Sequence, residues 1–592
     1  MTSAGYFKYI TYAGQIIRMN KDISYALDYH ELTKHSEISI MTSRHSLDLG
    51  NRPIPFKIYT ELPSISLQSE FPIPALKAIP SISNIHPKRP NTKDSGIITT
   101  KNNSNSEEIN ATKTFSLKEL SSILFFSAGI TREMKYDYGT FYMRAASATG
   151  ALYPIELYVI CRDISPNLKA GIYHFNPADF SLTQIRAGDY RTTLAAVAGD
   201  SQDILTSPLT ITFTSYAWRN AWKYQARSYR HWFWDSGVIA ANLLATTISI
   251  DLDARIIMGF VDDEVNRLLA LEGEKEASIA MVAIGTGSDK DLTHEEIDSK
   301  EQIITDMPTT TLKVRPLSRK EVHFPEIWKL HQHSKLFSKE EVKEWTKSGL
   351  EQAFDSASFR EDSVSTDEHI LNRQPLSREY ESSNISSIGE VILRRGSSRR
   401  FYRTALPFSI LSSILYNSTR GISMDFKKDA DTLTDIYFIA NDVEGISSGA
   451  YFFNRNQNSL ELLKDKVPRE MSGYLCLGQS LFSDASAVLF LMANLQKILD
   501  TLGNRVYRVA QFEAGIVAGK VYLSAYAHRI GSSGSTFFDD AVTEFFSPHA
   551  RNKSTMIAVG LGVPAYKARP GKVLPVRLTR EQLLKEDIGN FS

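Results

Sequence analysis

Lys223 and Tyr224 stand side by side in the aromatic stretch WKYQARSYRHWFWDSG, residues 222–237. A lysine buried next to a tyrosine can have its proton affinity lowered and serve in proton transfer. Read more plainly, the pair is the end of a core helix. A second group is basic. In RRGSSRRF, residues 394–401, Arg395, Ser397 and Arg399 alternate, so in an extended segment they share one face and present guanidinium and hydroxyl donors to an anion. Taken alone, such a run is a solvated charged segment. Lys567 and Arg569 alternate in the same way in GVPAYKARPGK. A third group is small: Ser147, Ala148, Thr149 and Gly150 open SATGALYP, where short side chains and a glycine let backbone N–H groups approach a flat ligand. In isolation this is a turn before a strand.

Other chemistry is poorly represented. His331 and His333 in HQH have no acidic or histidine cluster nearby in sequence and read as an exposed pair, so no metal site is expected. The GTG at Gly285 lacks the rest of a dinucleotide fingerprint. Cys161 and Cys476 lie far apart in apolar surroundings and read as buried free thiols. Lys+Arg and Asp+Glu balance at 67 each, which gives no electrostatic reason to expect nucleic acid or an anionic membrane. The most promising apolar run, 236–250, is short for a membrane span, and the first twenty residues lack a continuous apolar signal region, so a cytoplasmic protein is expected.

The elements that must position these groups are duplicated. GIYHFNPADFSL from Gly171 matches GAYFFNRNQNSL from Gly449, and RSYRHWFWDSGVIA from Arg227 matches RVYRVAQFEAGIVA from Arg505; both separations are 278 residues. Upstream, LSSIL at Leu120 and at Leu411 lie 291 apart, so the second copy lacks 13 residues between there and Gly171. That interval in the first copy contains the small-residue loop. The basic pairs occur only in the second copy, whereas the loop and Lys223-Tyr224 occur only in the first, because Thr501 and Leu502 take the places of the pair. Each copy reads as α+β: apolar, β-branched strands surround a long helix, 229–250 or 507–527, that is apolar on most sides and must be buried against another element. Two domains paired through these helices predict an intramolecular pseudo-dimer, with residues 1–110 as an N-terminal extension, 111–290 as domain 1, 291–385 as a connector, 386–570 as domain 2 and 571–592 as a tail.

RRGSSRRF, SATGALYPIELY, GIYHFNP, KYQARSYR…DSG and GSSGSTFFDD together resemble the SagB-type dehydrogenases of the flavin-dependent nitroreductase superfamily, and YHELTKHS at Tyr29 is similar to the N-terminal region of long members. The resemblance implies an α+β fold that binds FMN between two subunits. It assigns Arg395, Ser397, Arg399, Lys567 and Arg569 to the cofactor from the second domain, with Gly534, Ser535 and Thr536, and Ser147, Ala148, Thr149 and Gly150 from the first. One FMN per chain follows, because the mirror-image site lacks both halves. The resemblance also implies that Lys223 and Tyr224 are catalytic and that a thiazoline or oxazoline in a peptide is oxidised to the azole, with O₂ reoxidising the flavin and a cyclising enzyme as an expected partner. Two other readings are an FMN oxidoreductase acting on a nitro compound, a quinone or a cyclic peptide, and a scaffold subunit of a biosynthetic complex. The loop reads ATG where the family more often has SAG, and Trp232 and Trp234 are bulkier than the family pattern, as core residues or as walls of a narrowed pocket.

Overall fold

A computed structural model describes residues 11–12, 15–16, 19–84, 115–136, 139–286, 312–352, 370–377, 386–429, 431–566, 569–573 and 577–584. Two antiparallel sheets face two long central helices. In spatial order the first sheet runs Ala254–Ile257, Glu276–Ile284, Leu209–Tyr216, Ile155–Cys161, Gly171–Asn176, Ser181–Ala187 and Ser64–Ser66. The second runs Asn372–Pro375, Ser459–Asp465, Gly449–Asn454, Asp435–Ala440, Ala487–Ala493, Ser554–Pro564 and Phe401–Tyr402, with Gly531–Ser535 also on Ser554–Pro564. The registers repeat: Leu157 lies opposite Phe213 in the first sheet, and Ile436 opposite Leu491 in the second. Strands such as AVLFLMA are buried along their whole length, which explains their unbroken apolar character. The fold is α+β, built of two similar halves.

The central helices, Ser228–Ser249 and Arg505–Ala527, are buried almost throughout. Glycine permits their contact. A Cβ on Gly237 would stand 2.5 Å from the Phe512 carbonyl oxygen, and one on Gly515 would stand 2.7 Å from that of Trp234, so the two backbones touch where any side chain would separate them. Trp232 and Trp234 are core residues. Trp232 packs edge-on against Trp328, and the Trp234 indole N–H donates to Gln511 Oε1 at 2.6 Å.

Two reciprocal ion clusters weld the halves. Arg227 and Arg230, at the start of the first central helix, reach Asp539 of the second half at 3.0 and 2.7 Å. Arg505 and Arg508, at the start of the second, reach Asp262 of the first half, both at 2.6 Å. All six side chains are buried. The segments set apart in the sequence as extension and connector close these clusters identically. From the helix Ser24–Leu32 and its C-terminal turn, the His30 carbonyl accepts from Arg230, the Thr33 hydroxyl oxygen accepts from Arg230 Nε, and His35 N–H donates to Asp539. From Pro325–His333 and its turn, the His331 carbonyl accepts from Arg508, the Ser334 hydroxyl accepts from Arg508 Nε, and Leu336 N–H donates to Asp262. The repeat thus reaches further upstream than the sequence match. It also corrects the reading of HQH: His331 is buried, its ring 3.3 Å from the Tyr229 hydroxyl, because its helix docks on the core. Among the described residues no group of three or more His, Cys, Asp or Glu could hold a metal, both cysteines are buried and free, and no helix is long and apolar enough to cross a membrane.

Candidate functional site

The segment carrying Arg395, Ser397 and Arg399 is anchored at both ends. A capping box, Ser387 with Glu390, starts the short helix Ile388–Arg394, and Arg395 is its C-cap. Beyond it Ser398 N–H donates to the Ser532 carbonyl at 2.9 Å, and Phe401 pairs with Pro564 at the sheet edge. The chain is therefore extended, with Ser398 buried beneath it, Ser397 part-exposed and Arg399 exposed. Arg395 turns inward across the domain boundary: its guanidinium donates to the carbonyls of Ala145 at 3.0 Å and Arg144 at 3.2 Å. Arg132 reaches back from the first half and donates to the carbonyls of Leu393 at 2.7 Å and Arg395 at 2.6 Å. Burial lowers the proton affinity of both guanidiniums. Among the described residues neither has an ion-pairing carboxylate. Two adjacent, largely desolvated cations without a carboxylate partner are electrostatically suited to an anion.

Gly534 joins this cluster through Tyr522 of the second central helix, whose hydroxyl oxygen accepts the Gly534 N–H and lies 3.5 Å from Ser397 Oγ. Ser535 and Thr536 are engaged elsewhere. The Ser535 hydroxyl donates to the Thr536 carbonyl, and the Thr536 hydroxyl accepts from Arg227. The C-terminal segment passes the same place: the Tyr566 hydroxyl donates to the Ser397 carbonyl and accepts from Arg399 N–H, and Gly571 N–H donates to the Leu393 carbonyl. Arg569 is exposed between these contacts, and Lys567 lies outside the described residues.

From the first half, a hairpin, Ile130–Tyr136 with Gly139–Arg144, leads into the small-residue loop. This connection, 129–154, is longer than its counterpart, 419–434, and holds the residues that the second copy lacks. Ser147 and Ala148 line a small cavity with Arg144, Tyr153 and Asp235. Thr149 donates to Asp235 Oδ1 from its N–H at 2.8 Å and from its hydroxyl at 2.7 Å. Gly150 takes a left-handed φ of 63°, and a Cβ there would stand 2.8 Å from the Tyr224 hydroxyl oxygen. The loop and the Lys-Tyr pair are therefore in contact.

Lys223 is half-buried at the end of the helix Ala217–Tyr224. Burial lowers its proton affinity, and the positive charges of Arg52 and then Arg399 lower it further. Arg399 belongs to the other half, so the field at Lys223 is itself composite. Burial, and then the charge of Asp235, hold the Tyr224 phenol above its ordinary range. The pair is thus a lysine that gives up its proton more readily than usual beside a tyrosine that holds its own more tightly. The Tyr224 ring meets His231 edge-on at 4.4 Å, and His231 stacks on Trp234 at 4.6 Å. Sequence reasoning passed over Asp235, Arg132 and Tyr522. Asp235 had a signal in the acid that Glu513 places 278 residues later, while Arg132 and Tyr522 had none.

Residues 112–286 match the Nitroreductase family and form a nitroreductase-family domain, the domain of an oxidoreductase. A Methanocaldococcus jannaschii protein named as a nitroreductase is 27% identical over 169 residues, 28% of this chain and 80% of its own length. The microcin B17-processing protein McbC of Escherichia coli is 25% identical over 145 residues, 24% of this chain and 53% of its own, so the match spans about half of that protein. The crystal structure of an Anabaena variabilis protein described as a nitroreductase superposes with a TM-score of 0.67 at 24% identity, over 91% of this chain and 99% of that one. The likeness in fold therefore runs through both halves.

Proposed function

We propose that this chain is an FMN-dependent oxidoreductase with a single cofactor site between its halves, and that it oxidises thiazoline or oxazoline rings in a peptide to the aromatic azoles. The observation that carries the reading is the pairing of part-buried Arg132 with buried Arg395, neither with an ion-pairing carboxylate among the described residues, beside a loop that also touches Tyr224. Such a cation pair suits a phosphate, and the small-residue loop suits a flat ring. Arg395, Ser397, Arg399, Lys567, Arg569 and Gly534 would hold FMN from one side and Ser147–Gly150 from the other. When bound, FMN supplies the acceptor for the hydride that leaves the ring carbon. Lys223, whose proton affinity is lowered by burial and by neighbouring positive charge, takes the proton from the neighbouring Cα, and Tyr224 steadies the developing charge as a hydrogen-bond donor. Loss of one proton and one hydride leaves an aromatic ring. The name of McbC, a processing protein of a microcin, supports a peptide substrate, which a cyclising partner enzyme would supply.

The test is turnover of an azoline peptide by the flavin-loaded protein, read as loss of two hydrogens by mass. Lys223→Met and Tyr224→Phe should each abolish it and keep the flavin. Full turnover in both variants with FMN still bound would remove the pair from the mechanism. The second reading, reduction of a nitro compound or quinone, draws on the Methanocaldococcus jannaschii relative. It is distinguished by nicotinamide-driven turnover of those acceptors that survives both substitutions.

A further inference from the structure

Each central helix carries one buried acid at equivalent positions, Asp235 and Glu513. Each acid clamps the loop before the equivalent strand of its own half. Asp235 Oδ1 accepts from the Thr149 N–H and hydroxyl. Glu513 Oε1 accepts from Leu433 N–H at 2.8 Å, Thr434 N–H at 3.0 Å and the Thr434 hydroxyl at 3.0 Å.

The clamps are alike, but their surroundings differ. Glu513 has the Lys427 ammonium 3.9 Å away. Asp235 has no cation at ion-pair distance among the described residues. Its Oδ2 meets only Asn220 Nδ2, at 3.4 Å, and Asn220 Oδ1 is buried without a partner. Because an amide can turn its oxygen and nitrogen about, Asn220 can donate to a carboxylate or accept from a carboxylic acid. A clamp needed for architecture alone is served by the compensated arrangement of the second half. The uncompensated one stands only in the half that bears Lys223 and Tyr224.

What the clamp holds is the turn against the Tyr224 hydroxyl. The titratable and charged groups around Asp235 are Tyr224 on the helix Ala217–Tyr224, His231 one turn earlier on its own helix, and Arg144 and Tyr153 on the loop side of the cavity. Burial pushes Asp235 up to about 7 against the bonds from Thr149 and Asn220. Burial holds His231 well below its ordinary value and so neutral near pH 7, and lowers Arg144 only to about 10, so it stays charged.

We infer that Asp235 is a positioning residue that holds the Thr149–Gly150 turn against the Tyr224 hydroxyl and, by gaining or losing one proton, tunes how strongly that hydroxyl donates its hydrogen bond. The turnover consequence rests on the proposed dehydrogenation; the protonation itself does not.

The experiment uses the full-length flavin-loaded protein and its Asp235→Asn, Asp235→Glu and Glu513→Gln variants. The first readout is the infrared carboxylic C=O band as pH passes through neutrality. The expected result is a band lost near pH 7 in the parent and in Glu513→Gln, shifted in Asp235→Glu and missing from Asp235→Asn. The second is the pH profile of kcat on an azoline peptide: a bend near neutrality in the parent and Glu513→Gln, and none in Asp235→Asn, whose kcat falls by about a hundredfold or less. A neutral-pH band that persists in Asp235→Asn, or a bend unchanged there, overturns the inference. If Asp235→Asn does not fold, an unshifted band in Asp235→Glu does the same. Absence of azoline turnover with the infrared result intact would sink the proposed reaction and leave the protonation of Asp235 standing.

Discussion

Replacing Asp539 by Asn tests what holds the two halves together. Asp539 is buried under Arg227 and Arg230, and receives the His35 N–H at 2.8 Å. Asparagine keeps the shape and one acceptor but leaves two buried guanidiniums without a counter-charge. Removing one partner of a buried ion pair costs about 3–5 kcal/mol, roughly two to nearly four orders of magnitude in the unfolding equilibrium. The variant should lose that much in urea unfolding at pH 7, and Asp262→Asn, facing Arg505 and Arg508, should lose a similar amount. The pH dependence has a definite sign. Burial pushes Asp539 up, but Arg227 and Arg230 outweigh it and hold the carboxyl well below the usual range. Its contribution is therefore complete above about pH 4, the unfolded value, and fades as pH falls toward the folded one. The gap between parent and variant should narrow in acid. A cost below about 1 kcal/mol, the range of an exposed pair, or a gap that widens in acid, would refute the idea that these clusters weld the halves.

Gly237→Ala should destabilise by about 3 kcal/mol or more, read by thermal or urea unfolding, because the added methyl meets Phe512 and Gly515 backbone atoms at 2.5 and 2.6 Å and neither can move aside. Arg395→Gln should weaken FMN binding roughly 10–100-fold through loss of a charge-assisted contact of about 1.5–3 kcal/mol, measured by flavin titration. Asp235, raised to about 7 from an unfolded value near 4, stabilises the fold most below about pH 4 and loses that stabilisation as pH rises through 7. Relative to the parent, Asp235→Asn should therefore gain stability between pH 4 and 8; a constant difference would count against the shift.

The large features were legible because they are repeated. Arg227 and Arg505 lie 278 residues apart and Asp262 and Asp539 277 apart, and the structure joins each arginine to the acid of the other half in reciprocal clusters. The missing residues of the second copy marked the connection that becomes the hairpin and the small-residue loop. The upstream repeat escaped notice because its shared chemistry is short and largely backbone: of the residues around His30 and His331, what matters is a carbonyl, one hydroxyl and one N–H. The burial of His331 is hidden in the sequence, because it depends on a helix docking that leaves no periodic signature. Arg132 could not be found from sequence, because it acts through carbonyls in the other half and belongs to no motif.

The most direct test of the composite site is the flavin content of the purified protein after incubation with FMN, measured by its visible spectrum and by release of the cofactor. The account predicts a yellow protein with one FMN per chain, falling in Arg395→Gln. Two per chain, or none, would contradict it.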